Sequence, residues 1–598
     1  MPSSSLPLRE RPVAVRKALR DQSLDGFILP RGDGYLGEYV APSDERLAWL
    51  TGFTGSAGLA IVLEDKACVF SDGRYTAQME EQVPHDLWER RHITLDPPQQ
   101  WLGDHAAGKR IGYDPRLVSP DQLAAWQPRE QAPEAQTRFV AVEMNPVDLV
   151  WQDRPTPPAS IVTPQPLELA GESSAGKRQK IARELRNAGQ AAMILADCTS
   201  IAWLFNLRGQ DLEMLPVAQG YALLMADGQA ALFMDPTRFS QGGDWLEEGI
   251  EVYPPQELKK HLHAFTGQKV RLDPATTPAW FVEQLEAGGV TPVLAPDLCT
   301  LPKALKNPVE QEGHRKAQAL DGIAMARFLS WLTQHGIGES ETALAAQLND
   351  FRRAAPECAG LSFETISGVG PNGASPHYRA EAGKDRVLTP NSVYLVDSGG
   401  QYHFGTTDIT RTVWLGEAGA QPPQHVRNAF TRVLKGHIAL ARARFPAGTP
   451  GYRLDTLARA ALWEAGLDYD HGTGHGIGSY LSVHEGPQSI SPAPRPTALQ
   501  AGMILSNEPA YYEPGAFGIR IENLLLVREN DVKGPRGPFL EFETLSYTPI
   551  DRQLIDTALL TPQERRWVDA YHAETWRRVS PHLEGKERQW LETACAPL

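Results

Sequence analysis

The stretch VYLVDSGGQYHFGTTDITRT, residues 393–412, decides the expected fold, because it sets two carboxylates beside two β-favouring runs. The apolar run 393–396 leads into Asp397 and stops at Ser-Gly-Gly, and a second β-rich run covers residues 407–414. Two such runs joined by a glycine-rich connection predict a hairpin. A carboxylate that ends a buried strand needs a partner, since an unpaired buried charge is very costly. For Asp397 or Asp408 alone, a cap or a salt bridge is the simpler interpretation.

Three motifs further along the chain favour a different interpretation. HGTGHG supplies His475, SNEPAYY supplies Glu508 and GIRIEN supplies Glu522. Together with the two aspartates they make four carboxylates and one imidazole, a set that would repel itself unless cations neutralise it. Two divalent ions that share bridging carboxylates, roughly 3.5–4 Å apart, are the usual solution in hydrolytic enzymes. The sequence therefore predicts a dinuclear metal site.

The HGTGHG motif also invites comparison with the HExxH zinc motif, because His471 and His475 are four residues apart. Three glycines in six residues disfavour a regular helix, and no Glu follows the first His. A mononuclear zinc site is therefore the poorer interpretation. Glycines at these positions instead let the backbone approach metals or substrate closely.

The order Asp, Asp, His, Glu, Glu, in the contexts VDSGGQY, TTDITRT, GTGHGIG, SNEP and IRIEN, resembles the pita-bread metallopeptidases. That superfamily includes methionine aminopeptidase, prolidase and aminopeptidase P. The resemblance implies that Asp397 holds one metal, that Asp408 and Glu522 bridge both, and that His475 and Glu508 complete the other. It also implies a hydroxide, shared by the two metals, that attacks the scissile carbonyl.

Two further histidines lie in loop motifs. His377 is in GPNGASPHYRAE and His484 is in YLSVHEGP. A single loop histidine is usually only a surface residue. The resemblance implies instead that both bind substrate and stabilise the tetrahedral intermediate as hydrogen-bond donors. Glu508 is expected to double as the proton shuttle between the nucleophilic water and the leaving amine.

Three residues are predicted to support this set. Arg520 lies two residues before Glu522, so on a strand both side chains point to one face, and we expect an ion pair with a metal-binding carboxylate. Thr410 follows Asp408 by two residues and is expected to support a ligand. His471 is expected at the edge of the site. The sequence assigns no role to His403.

The first half of the chain contains a weak internal repeat, in which AWLTGFTG (48–55) matches AWLFNLRG (202–209). Each copy follows an amphipathic helix and an apolar strand, and precedes two β-like runs. The repeat predicts two similar α/β domains, residues 1–155 and 160–305. Their join is the proline-rich segment 151–169.

The expected fold class is α/β (α+β), with these two creatinase-like domains followed by a pita-bread catalytic domain. That domain is predicted over residues 306–598, with a C-terminal extension from about residue 536. The two N-terminal domains and the stretches TGFTGSAG, SDGRY and IAWLFNLRGQD resemble the three-domain aminopeptidase P type over essentially the whole chain.

This resemblance implies removal of the first residue from peptides with proline at the second position, by a homodimer that uses manganese. Cobalt and zinc are alternatives, because carboxylate and imidazole sites accept all three metals. A prolidase-like Xaa-Pro dipeptidase is the first alternative function. A metal-free creatinase-like hydrolase and a non-catalytic peptide-binding protein are others, and the complete ligand set argues against both.

The composition and the hydropathy pattern limit the kinds of binding partner and the cellular compartment that we expect. The net charge of −15, with no basic run, argues against a nucleic-acid partner. Five scattered cysteines without a CxxC pair fit reduced thiols. No apolar run approaches 18 residues and the N-terminus lacks an apolar signal region, so neither a membrane span nor secretion is expected. We expect a cytoplasmic protein.

Overall fold

The computed structural model describes residues 6–128, 136–535 and 537–598. Within these ranges the helices are α1 (Arg11–Asp21), α2 (Arg46–Thr51), α3 (Thr76–Gln82), α4 (Pro98–His105), α5 (Pro120–Ala125), α6 (Pro146–Val150), α7 (Leu167–Ala170), α8 (Ser174–Asn187), α9 (Cys198–Leu204), α10 (Leu258–His263), α11 (Ala279–Ala287), α12 (Thr300–Ala304), α13 (Pro308–His335), α14 (Glu341–Arg353), α15 (Gln424–Ala441), α16 (Asp455–Trp463), α17 (Pro562–Val579) and α18 (Gly585–Ala594).

The strands in the same ranges are β1 (Gly26–Pro30), β2 (Leu59–Leu63), β3 (Ala67–Ser71), β4 (Glu89–His92), β5 (Arg110–Tyr113), β6 (Arg138–Ala141), β7 (Thr163–Pro164), β8 (Ala192–Leu195), β9 (Leu207–Arg208), β10 (Tyr221–Met225), β11 (Ala230–Phe233), β12 (Ile250–Tyr253), β13 (Lys269–Leu272), β14 (Thr291–Leu294), β15 (Cys358–Leu361), β16 (Ile366–Val369), β17 (Ser392–Ser398), β18 (Gly400–Tyr402), β19 (Gly405–Thr406), β20 (Ile409–Leu415), β21 (Arg444–Pro446), β22 (Gly474–Gly476), β23 (Glu485–Ile490), β24 (Ile504–Asn507), β25 (Ala510–Glu513), β26 (Phe517–Arg520), β27 (Asn523–Gly534) and β28 (Gly537–Thr544).

The chain divides into two compact units. One comprises Met1–Gln165 and Glu172–Cys299, and the other comprises Pro166–Gly171 and Thr300–Leu598. The predicted domain boundaries at 155/160 and 305/306 stay predictions, as does the extension from about 536. Arg536 itself lies outside the described residues.

The first unit repeats one α/β topology. Its two six-stranded sheets have the orders β4-β3-β2-β1-β5-β6 and β12-β11-β10-β8-β13-β14. In each, the strand after the first long helix pairs antiparallel with the following hairpin and parallel with a later strand. The prediction of two similar α/β domains is therefore confirmed. The parallel strands β5, β6, β13 and β14 were not expected, because each is a run of only four residues, too short for its periodicity to identify a strand.

In the second unit, β17 and β20 pair antiparallel over their whole length, with Asp397 opposite Thr410. The predicted pairing of these two runs is confirmed, but their connection is more than a turn, since β18 and β19 form a ladder of their own within it. A Cβ at Gly399 would lie 2.0 Å from the Thr407 carbonyl oxygen, so only glycine allows this close approach.

Around this pair, the second unit forms a six-stranded sheet in the order β21-β28-β27-β24-β22-β23 and the small sheets β16-β17-β20 and β25-β26. Helix α13 packs against α14, α17 and α18. Asn307 caps its N-terminus, because the Asn307 side-chain oxygen accepts hydrogen bonds from the Val309 and Glu310 N–H groups. Pro308 occupies the first helical position. Helix α18 was not predicted. No described helix combines the length and the apolarity that crossing a membrane requires.

We expect His314→Leu to make the fold less sensitive to acid. His314, on α13, is fully buried, and no described residue hydrogen-bonds to either ring nitrogen; burial lowers its pKa to about 3. The unfolded chain therefore takes up a proton below about pH 6.5, and stability falls by roughly 1 kcal/mol per pH unit from there toward the folded pKa. Removing the imidazole removes that dependence.

The measurement is the midpoint of urea unfolding for the wild type and for His314→Leu between pH 7 and pH 5. The same change at His335, an exposed residue of the same helix, is the control. An unaltered pH slope in His314→Leu would contradict the prediction.

Candidate metal centre

Each predicted ligand is positioned by a strand of the second unit. Asp397 is on β17, Asp408 immediately precedes β20, His475 is on β22, Glu508 follows β24, and Glu522 lies between β26 and β27. Strand β22 runs antiparallel to both β23 and β24. A Cβ at Gly474 would lie 2.0 Å from the Ser506 carbonyl oxygen and one at Gly476 would lie 2.2 Å from the Glu485 carbonyl oxygen, which explains these two glycines. The motif is not helical, since residues 474–476 form β22.

The structure brings three of the predicted ligands into one group. Asp408, His475 and Glu522 each offer a ligand atom, and these atoms lie within 4.8 Å of one another. His475 Nε2 is 3.4 Å from Asp408 Oδ2 and 3.5 Å from Glu508 Oε1, so Glu508 lies at the edge of the same group. Asp397 is held beside it by Arg520, at 2.7 Å.

Charge repulsion among the carboxylates shows in their pKa values. Burial raises the pKa of Glu522 far above its usual range, and the charges of Asp408, Glu508 and Asp397 raise it further. Burial raises the pKa of Glu508 to about 6, although His475 and Arg520 oppose the shift. Burial also raises the pKa of Asp397, against the attraction of Arg520.

The pKa of His475 shifts in the direction opposite to that of an ordinary buried histidine. Burial disfavours its imidazolium, but the hydrogen bond to Asp408 and the charge of Glu508 outweigh burial and raise its pKa to about 9. The carboxylates thus favour a positive charge on His475, even with the Arg520 guanidinium beside Asp397. A divalent ion would supply that charge instead and leave the imidazole neutral, as ligation requires.

The donor set fits divalent cations. Asp397 Oδ1 is buried and has no hydrogen-bond donor among the described residues, although most buried polar atoms have one. Carboxylate oxygens with one imidazole are the ligands that manganese, cobalt and zinc accept. The residues present therefore match a site for such ions.

Arg520 and Thr410 make the supporting contacts that their spacing predicts. Arg520 donates to Asp397 and, through Nε, to Thr410 Oγ1 at 3.2 Å. Thr410 Oγ1 in turn donates to Glu522 Oε2 at 2.7 Å. The guanidinium also donates to the Tyr512 hydroxyl, a role for Tyr512 that sequence reasoning missed. The only sequence signal was its place four residues after Glu508.

His471 lies beside the group rather than in it. Its Nε2 is 2.8 Å from the Tyr512 hydroxyl, and its Nδ1 is 2.7 Å from the Gly472 carbonyl oxygen. Its nearest approach to a predicted ligand is 4.0 Å, from Nδ1 to Glu508 Oε2. Burial, helped by the Arg520 charge, lowers its pKa to about 3. His471 is therefore a neutral partner of Tyr512.

The remaining histidines have different surroundings. The ring of His484 packs edge-on against His475, with centroids 4.4 Å apart, so it borders the cluster. His377 follows Pro376, whose carbonyl oxygen is 3.5 Å from Arg520 Nη2. His403 is exposed and packs against the ring of Tyr480, at 5.1 Å.

Comparison with known families covers nearly the whole chain. Residues 312–529 match the model of metallopeptidase family M24, and residues 538–598 match the C-terminal region of that peptidase. Residues 11–143 and 153–310 each match a creatinase/prolidase N-terminal domain.

Full-length relatives agree with these matches. A protein of Laccaria bicolor named probable Xaa-Pro aminopeptidase P is 39% identical over 98% of this chain and 93% of its own length. Aminopeptidase P2 of Arabidopsis thaliana is 38% identical over 96% of this chain and 86% of its own length. The crystal structure of the X-prolyl aminopeptidase of Caenorhabditis elegans, a cytosolic enzyme with a di-nuclear active site, superposes with a TM-score of 0.91 at 32% identity, covering 99% of this chain and 100% of that one. The chain therefore belongs to metallopeptidase family M24, with two creatinase/prolidase-type domains before its peptidase domain.

Proposed function

We propose that this chain is a metal-dependent aminopeptidase that hydrolyses the N-terminal Xaa-Pro bond of peptides. The observation that carries the proposal is the buried group of Asp408, His475 and Glu522, with Asp397 and Glu508 beside it. Arg520 and His475 contact these carboxylates, and two positive charges against four carboxylates leave negative charge for divalent ions to balance. The names of the full-length relatives supply the substrate class.

The proposed cofactors are two divalent ions, manganese first and cobalt or zinc as alternatives. Asp397 would hold one, His475 and Glu508 the other, and Asp408 and Glu522 both. When bound, the ions would supply Lewis acidity to the scissile carbonyl and to the attacking water. Arg520 and Thr410 would keep the carboxylates of Asp397 and Glu522 oriented toward the ions.

The side chains around this set would handle the proton and the developing charge. Glu508 would take a proton from the attacking water and deliver it to the leaving proline nitrogen. His377 and His484 would donate hydrogen bonds to the substrate as charge develops at the carbonyl. Because an Xaa-Pro bond lacks an N–H, a site that acts on the carbonyl oxygen needs no donor from the leaving group.

The test uses protein stripped with a chelator and then reloaded with manganese. We expect metal-dependent release of arginine from Arg-Pro-Pro, none from Arg-Ala-Ala, and little from the dipeptide Arg-Pro. Stripped protein should be inactive, and added manganese should restore activity. No turnover of Arg-Pro-Pro by reloaded protein with measured metal content would contradict the proposal.

The prolidase-like alternative predicts turnover of Arg-Pro alone. The prolidase of Pyrococcus horikoshii covers 63% of this chain at 22% identity, which supports a common fold only. The X-prolyl aminopeptidase of Caenorhabditis elegans covers 99%. The names of the full-length relatives, rather than the extent of the shared fold, favour the aminopeptidase.

Two accompanying proposals are a homodimeric assembly and a cytoplasmic location. The cytosolic description of the Caenorhabditis elegans enzyme supports the second. The dimer rests on the family resemblance alone, and light scattering of the purified protein checks it.

A further inference from the structure

Glu341, the first residue of α14, carries a carboxylate that is completely buried. It forms no ion pair within the described part of the chain. A buried charge of this kind is costly unless hydrogen bonds satisfy it. Here four donors do so: the Val369 N–H at 2.6 Å, the Asn372 amide at 2.9 Å, the Tyr378 hydroxyl at 2.7 Å and the Arg386 N–H at 2.9 Å.

All four donors belong to the end of β16 or to the loop that follows it, residues 370–391. Val369 ends β16, Asn372 lies in the turn that follows, and Tyr378 comes directly after His377. The Asn372 amide also donates to the Tyr378 hydroxyl at 2.9 Å. The carboxylate of Glu341 thus ties the start of the loop that carries His377 to Tyr378 in its middle and to Arg386 near its end.

The opposite side of this loop faces the metal centre. A Cβ at Gly518 would lie 1.7 Å from the Gly373 carbonyl oxygen, so β26 and the loop touch backbone to backbone. Arg520, on the same strand, approaches the Pro376 carbonyl oxygen at 3.5 Å and holds Asp397 at 2.7 Å. The loop is therefore fixed between Glu341 on one side and the strand that orients Asp397 on the other.

We propose that Glu341 is a positioning residue for the peptidase reaction, and that it acts through Tyr378 and Asn372 to hold His377 against the substrate carbonyl. This inference rests on the proposed function, because the role of His377 belongs to that proposal. Donors to a developing negative charge must be held within a fraction of an ångström of the productive geometry. A buried, fully bonded carboxylate supplies that rigidity.

The first test is Tyr378→Phe, which deletes the hydroxyl next to His377 and leaves Glu341 its other donors. We expect kcat for Arg-Pro-Pro to fall between about 10-fold and 100-fold, the range that a misplacement of about 1 Å produces. KM and bound manganese should stay unchanged. A purely structural tyrosine would lower thermal stability without altering kcat per folded, metal-loaded molecule.

The decisive comparison combines this change with His377→Ala. In that background Tyr378→Phe should have no further effect on kcat, because the group it positions is gone. In a His484→Ala background its full effect should remain. Glu341→Gln, whose amide offers one acceptor oxygen in place of two, should show the same dependence on His377.

Tyr402→Phe is the matched control, since its hydroxyl donates to the buried Asp321 at 3.2 Å and it lies outside the loop. It should leave kcat unchanged. Independent, multiplicative losses from Tyr378→Phe and His377→Ala would overturn the inference, as would a wild-type rate in His377→Ala. Failure of the wild type to cleave Arg-Pro-Pro would instead overturn the proposed function itself.

Discussion

Glu522→Gln is expected to lower kcat/KM for Arg-Pro-Pro by about 10³-fold, because a loss of about 4 kcal/mol of transition-state stabilisation corresponds to three factors of ten. Glu522 is 1% exposed and is one of the three grouped ligand residues. A neutral amide keeps the shape of the side chain but removes the charge that would hold divalent ions. Bound manganese should fall with activity.

The same variant should not destabilise the metal-free protein. In the absence of cations, burial and the charges of Asp408, Glu508 and Asp397 all oppose ionisation of Glu522 and raise its pKa. In the variant, the side-chain amide oxygen at position 522 can still accept the hydrogen bond from Thr410 Oγ1. We therefore expect the thermal midpoint of chelator-stripped Glu522→Gln to equal or exceed that of the stripped wild type, while added manganese stabilises only the wild type.

Three measurements check this prediction: the activity, the bound metal measured by plasma emission spectroscopy, and the thermal midpoints with and without manganese. Glu529→Gln makes the same change at an exposed position of β27 and should behave as the wild type. Wild-type activity in Glu522→Gln, or a large loss of stability in the stripped state, would show that the group is not the metal centre.

Motif order was enough to select the carboxylates and the histidine that the structure brings together, because the chemistry of such a site fixes both residue type and context. Asp397 and Asp408 flank paired strands, and the glycines of HGTGHG permit backbone contacts that other residues would block. Arg520 was predictable from its place two residues before Glu522, although Glu522 lies beyond the end of β26 and the ion pair forms with Asp397. These inferences depend only on short segments of chain.

Features that depend on contacts between distant segments were not predictable. Glu341 is 37 residues from Tyr378, and nothing in either segment indicates that a buried carboxylate receives the hydroxyl. The link from Tyr512 to Arg520 depends on the β25–β26 pairing, and the parallel strands of the first unit depend on crossover connections. Sequence pattern describes local preference, whereas these contacts arise from tertiary packing.

Arg352→Met is expected to destabilise the protein by about 3–5 kcal/mol, the usual cost of leaving one member of a buried ion pair without its partner. Arg352 is 0% exposed and donates to both Asp321 oxygens, at 2.7 and 3.2 Å. It also donates to Ser398 Oγ at 2.9 Å. The pair joins α14 to α13 and contacts the strand residue that follows Asp397. Without the guanidinium, the one side-chain donor to the buried Asp321 charge in the described part of the chain would be the weaker Tyr402 hydroxyl.

The double variant Arg352→Met/Asp321→Leu distinguishes the effect of the unpaired buried charge on stability from the effect of lost packing. Because apolar replacement of a whole buried pair is often neutral, the second change should restore most of the stability that the first removes. Arg577→Met is the control, since the Arg577–Glu574 pair is exposed and such pairs contribute about 1 kcal/mol or less. Urea unfolding followed by tryptophan fluorescence gives all four free energies. A loss in Arg352→Met no larger than in Arg577→Met would mean that water or another donor reaches Asp321, and that α13 and α14 are held together by their apolar contacts alone.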